Sequence, residues 1–199
     1  MGMSPNRSNG TEGFFSLPMV FIDIETTGDS LAEGGEICET GVVKINPIDG
    51  SIIDELNQKF FVSNPKQRSE EELSYHRYTG FTFNEWRDAV PVQEALTKLN
   101  TFCAGCSPWA YNVAFEFKWL SDYYQAHALT WSGDYHWFDL MTMARHVLLE
   151  DFRKGAITKL SLSSVGKHLG LEEEPKPHRG IVGARYEVEV YRRLLAMSK

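Results

Sequence analysis

Asp23 and Glu25 stand two residues apart in the apolar run Met19 to Glu25, MVFIDIE. In a strand, residues two apart face the same side, about 6 to 7 Å from one another, so the two carboxylates would share one pocket. Such a pair is costly to bury without a compensating cation. Two Mg²⁺ ions about 3.5 to 4 Å apart can be held by carboxylates of this kind, for in-line attack of water on a phosphodiester. The plainer reading of an isolated Asp-Ile-Glu is a strand with one solvated face. Cys103 and Cys106 form a C-x-x-C without a second Cys or His pair at zinc spacing, and three cysteines do not make a disulfide framework. They are expected to be reduced structural thiols.

The elements that must position the carboxylates follow from periodicity. Residues 19–25 read as a strand that ends at the Thr26-Thr27-Gly28 break. Ile37 to Ile45 and Ile52 to Val62 are β-rich and separated by the turn signal Asn46-Pro47-Ile48-Asp49-Gly50, so the three strands form a meander. Val92, Ala95, Leu96, Leu99 and Phe102 then share one helical face. A short strand over 107–111 precedes a helix over 113–128 with Asn112 as its N-cap. A strand near 135–138 precedes a helix over 140–149 capped by Asp139. A short helix over 161–169 ends at Gly170, and a long one runs from Ile181 to Met197. Strands first, then alternating helix and strand, imply an α/β mixed sheet flanked by helices.

The 199 residues, 42% hydrophobic, fit a single core domain over 19–199, preceded by a loose, polar segment over 1–18. The chain has no run of about eighteen apolar residues and a start unlike a signal peptide, so the expectation is a cytoplasmic protein without membrane contact. A net charge of −7 argues against coating duplex by bulk attraction, but an acidic enzyme can act on nucleic acid when metal ions and a local basic rim meet the phosphates.

Phe21-Ile22-Asp23-Ile24-Glu25-Thr26-Thr27-Gly28 resembles the first motif of the DEDD exonucleases. Ile37-Cys38-Glu39-Thr40-Gly41 is similar to that family's second strand. Asn112-Val113-Ala114-Phe115-Glu116-Phe117-Lys118-Trp119-Leu120 resembles its second motif, and Pro177-His178-Arg179-Gly180-Ile181-Val182-Gly183-Ala184 its third. The resemblance runs from about residue 19 to 195, and its histidine points to the DEDDh branch, near the proofreading subunits of bacterial replicative polymerases and RNase T. It implies a ribonuclease-H-like mixed five-stranded sheet flanked by helices. It also implies two divalent metal ions, Mg²⁺ or Mn²⁺, and release of nucleoside 5′-monophosphates from single-stranded DNA or RNA 3′ ends. Asp23, Glu25 and Glu116 would serve the metals, and His178 would be the general base, for which an imidazole of pKa about 6.5 is suited. Thr26, Thr27 and Gly28 would hold the terminal nucleotide, with Asn112 and Arg179 as further substrate contacts. His76 and Gly80 loosely match a family loop beside the substrate. A polymerase partner or a homodimer would be compatible with such relatives.

Two positions depart from the pattern. Glu116 replaces the second-motif Asp, keeping the charge with one methylene more; the alternative for it is a solvated helix glutamate. Gly183 replaces the third-motif Asp and has no side chain. Glu187, four residues on and about 6 Å along a helix, is the available compensation, although a surface glutamate without a role is the more ordinary reading. Pro175, Pro177 and Gly180 suggest a mobile loop around His178. Gly183 thus sets an exonuclease against a binding or interaction module that kept the fold and lost the chemistry.

Overall fold

The computed structural model describes residues 16–62, 68–75 and 78–198. The expected loose segment therefore lies, up to residue 15, outside the described residues, as does His76.

Strands β1 (Met19–Thr26), β2 (Ile37–Ile45) and β3 (Ile52–Lys59) form the expected antiparallel meander. β4 (Ser107–Ala110) and β5 (Phe138–Asp139) extend it parallel to β1, in the order β3-β2-β1-β4-β5. β3 stops short of the expected Val62: Phe60 still donates to Cys38 O of β2 at 2.9 Å, but it also bridges Val90, and Phe61 donates to Val90 O at 2.8 Å. The helices are α1 (Glu70–Leu73), α2 (Val92–Cys103), α3 (Ala114–Ala126), α4 (Leu140–Val147), α5 (Leu149–Arg153), α6 (Leu162–His168) and α7 (Gly180–Met197). α1 has no periodic signal at four residues; it is held by a capping box in which Ser69 and Glu72 satisfy each other's backbone N–H.

The alternation of β1 divides the core. Val20, Ile22 and Ile24 pack on one face against Leu96 and Leu99 of α2 and Trp119, Leu120 and Tyr124 of α3. Met19 and Phe21 pack on the other against Leu140, Val165, Val188 and Leu194 of α4, α6 and α7. The second face is the one on which Asp23 and Glu25 fall, beneath α7. Antiparallel register sets Asp23 opposite Gly41 and Glu25 opposite Glu39.

α3 begins later than expected because Asn112 does not cap it. Asn112 adopts φ 64°, and its N–H, with that of Val113, donates to Asp139 Oδ1 at 3.0 and 3.3 Å. Asp139 also caps α4 through Met141 N and Thr142 N, so one carboxylate fixes the starts of two helices. The helix expected over 140–149 breaks at Leu148 into α4 and α5. Cys38, Cys103 and Cys106 are all buried and unbridged, and burial pushes each thiol above its ordinary pKa. Among the described residues, no helix is long and apolar enough to cross a membrane.

Candidate active site

The position of α7 over β1 is set by two glycines in backbone contact. A Cβ at Gly41 would lie 1.9 Å from the Gly180 carbonyl carbon and 2.0 Å from Ile181 N; one at Gly180 would lie 2.5 Å from Gly41 N and 3.0 Å from Asp23 O. This approach brings the first turn of α7 directly above Asp23. A Cβ at Gly183 would lie 2.2 Å from Asp23 Oδ2, so the carboxylate of Asp23 leans into the space that Gly183 leaves open.

One turn later, Glu187 is 1% exposed. The expectation of a surface glutamate is overturned. Gly180, Gly183, Glu187, Val190 and Leu194 recur at alternating three- and four-residue spacing and are all buried, so Glu187 sits on the stripe of α7 that faces the sheet. That spacing was the signal that could have placed it inside. Its Oε1 accepts the Tyr111 N–H at 2.9 Å, just past β4, while its Oε2 is buried without a hydrogen-bond partner. Glu116, in the first turn of α3, is 4% exposed with Oε2 likewise unpartnered, so it is not a solvated glutamate either.

Four carboxyl groups therefore converge from β1, α3 and α7. Burial holds Asp23 well above the carboxylate range, reinforced by Glu25, then Glu187 and Glu116. Burial does the same to Glu187, with Glu116 adding to it. Glu116 is pushed up to about 8, chiefly by burial. Glu25 is also pushed to about 8 by burial, with His178 opposing and Glu39 and Glu174 adding to the rise. Protons or cations must balance such a cluster.

His178 is half-buried, and its Nδ1 lies 3.2 Å from Glu174 Oε2. The facing Glu174 carboxylate raises its pKa, against the opposing effect of burial. Nothing in the Glu172-Glu173-Glu174 run distinguishes Glu174 from an ordinary charged loop residue, and sequence reasoning missed it. The loop itself is tied down. A Cβ at Gly80, where φ is 59°, would lie 2.6 Å from Pro177. The His178 N–H donates to Tyr78 O at 2.6 Å. Arg179 donates to both oxygens of fully buried Glu39, at 2.9 and 2.8 Å, and to Glu85, with its guanidinium 5.0 Å from the Trp86 ring centroid. Three consecutive residues are thus anchored where a mobile loop was expected. Arg179 is committed to Glu39 and Glu85 instead of standing free for a phosphate.

The Thr26-Thr27-Gly28 turn follows Glu25 directly. Both threonines are buried; Thr26 Oγ1 donates to Gly28 O at 2.9 Å, and Thr27 Oγ1 accepts the Glu36 N–H at 2.9 Å. Their hydroxyls shape the turn from within. Asn112 is exposed at the end of β4, on the side of the cluster where Tyr111 meets Glu187.

The donor set is entirely oxygen, which suits Mg²⁺ or Mn²⁺ over softer ions. Among the described residues no three such groups are already spaced around one ion. The buried, unpartnered oxygens of Glu116 and Glu187 are donors that such an ion would engage, so the residues fit the group.

A family model described as exonuclease (RNase T) matches residues 20–191. DNA polymerase III PolC-type of Lactococcus lactis subsp. lactis (strain IL1403) is 34% identical over 112 residues, which are 55% of this chain and 6% of that protein. The match thus spans a small fraction of the polymerase. The nuclease domain of 3′hExo, a DEDDh family member bound to rAMP, aligns with a TM-score of 0.73 at 20% identity, over 93% of this chain and 94% of that one. The zinc-bound E. coli ExoI–ssDNA complex aligns with a TM-score of 0.71 at 13% identity, over 90% of this chain and 40% of that one. At these identities the likeness to the solved structures is one of fold.

Proposed function

Because the chain belongs to the exonuclease family, we propose that it is a metal-dependent 3′-to-5′ exonuclease that releases nucleoside 5′-monophosphates from single-stranded DNA or RNA. The observation that carries this reading is Glu187. It is buried, has one unpartnered oxygen and lies within electrostatic reach of Asp23 and Glu116, one turn beyond the glycine where the resemblance led us to expect an aspartate. Asp23, Glu25, Glu116 and Glu187 would hold two divalent ions. When bound, such ions supply Lewis-acid activation of the attacking water and stabilise charge on the phosphodiester. His178 takes the proton of the attacking water on an imidazole nitrogen, and the turn at Thr26, Thr27 and Gly28 places the backbone against the terminal nucleotide.

The test is gel analysis of 5′-labelled single-stranded DNA and RNA in Mg²⁺ and in Mn²⁺. Stepwise shortening from the 3′ end by wild type, absent in Asp23→Ala, supports the exonuclease. Retention of the strands without cleavage in either metal would make the chain a binding module, the reading that Gly183 alone suggests.

Metal binding has its own readout. Saturating Mn²⁺ is expected to raise the melting temperature of wild type by about 5 °C or more, and that of Asp23→Ala by little or nothing. An equal rise in both proteins would place the ions elsewhere.

Positions 183 and 187 are expected to be alternatives for one carboxylate. In Gly183→Asp the new Cβ must displace Asp23, so turnover falls by about tenfold. In a Glu187→Gln background the same substitution supplies the missing group, and turnover rises. A loss of equal size in both backgrounds would refute the exchange.

A further inference from the structure

Resting on the nuclease reading above, we propose that Glu174 is a positioning residue that holds His178 in the tautomer with hydrogen on Nδ1, leaving the Nε2 lone pair for the attacking water. Glu174 Oε2 lies 3.2 Å from His178 Nδ1, and its side chain is only 11% exposed. A carboxylate facing Nδ1 at ion-pair distance favours the tautomer that carries its hydrogen there, since the partner of one ring nitrogen sets which of the two is protonated. The four-residue separation is not imposed by a helix, since residues 171–179 lie outside regular structure and α7 begins at Gly180. The contact is made by a loop whose next residues are fixed independently, through the Tyr78 carbonyl and the Glu39–Arg179 pair.

The placement of Glu174 is electrostatically unfavourable on its own. It adds to the charge felt by Asp23, Glu25 and Glu187, which already crowd one another. An acid pointed away from solvent into such a group is stabilised by the imidazole it faces. That pairing explains why the third residue of the Glu172-Glu173-Glu174 run turns inward while Glu172 and Glu173 stay exposed.

Two measurements test the role. With the ring neutral, ¹⁵N NMR of wild type should show His178 protonated on Nδ1, and Glu174→Ala should shift it toward the Nε2–H form. This readout needs no turnover and stands even if cleavage is never seen. In steady-state cleavage, Glu174→Ala should lower kcat by about ten- to a hundredfold with KM changed less than about twofold. The same substitution in a His178→Ala background should change kcat by less than about twofold. An Nε2–H tautomer in wild type, or equal losses in both backgrounds, would overturn the proposal, because a purely structural Glu174 acts independently of the ring.

Discussion

Glu187→Gln is expected to lower turnover about a hundredfold or more while leaving the protein as stable as wild type or more so. Glutamine matches glutamate in shape, and its side-chain oxygen can keep the bond from the Tyr111 N–H that Glu187 Oε1 now accepts at 2.9 Å. What is lost is the charge and the second carboxylate oxygen, which is buried without a partner. If that oxygen serves the metals, its removal weakens them where they act on the reacting groups, and kcat bears the loss. Stability should move the other way. A carboxyl among other buried carboxyls costs free energy to desolvate, and a neutral amide does not. Single-turnover kinetics on labelled strands, together with thermal melts in chelator, read the two effects separately. Activity within twofold of wild type would reduce Glu187 to a cap for Tyr111 and remove the observation on which the function rests.

The largest effect on folding is expected at a residue with no chemistry. Gly41→Ala should destabilise the protein by about 3 kcal/mol or more, seen as a fall in the urea midpoint. The added Cβ would stand 1.9 to 2.2 Å from the carbonyl carbon and oxygen of Gly180 and the nitrogen of Ile181. These are backbone atoms at the start of α7, and no rotamer change relieves them. Relief requires α7 to rise from the sheet, which separates Val188 and Leu194 from the core they share with Phe21 and Val43. A drop under about 1 kcal/mol would mean that the helix accommodates the methyl group by sliding.

How much of this was readable in advance varied from element to element. β1 and β2 were placed closely because alternation and a clear break at Thr26-Thr27-Gly28 report on strand faces directly. Asp23, Glu25, Glu116 and His178 could be singled out because their neighbours matched a known pattern. Glu187 was recognised as within reach of the site but not as buried, since a charged residue is ordinarily solvent-facing and the stripe it occupies begins with two glycines, which carry no hydrophobic signal. Asn112 looked like a helix cap by type, whereas its own backbone N–H and that of Val113 are held from 27 residues away by Asp139, a tertiary contact that no local pattern encodes. Arg179 looked like a phosphate ligand because Glu39 and Glu85 approach it only after the sheet and the loop have folded. Glu174 carried no distinguishing mark at all.

The three cysteines bear on how this protein can be studied. Each thiol lies beneath the surface and is held in its protonated, unreactive form. The folded chain therefore offers a maleimide dye no native attachment point, and a single cysteine introduced at an exposed residue such as Phe83 becomes the sole label site without prior removal of the others. Energy transfer from a dye there to one on the 5′ end of a strand would follow each shortening step on individual molecules.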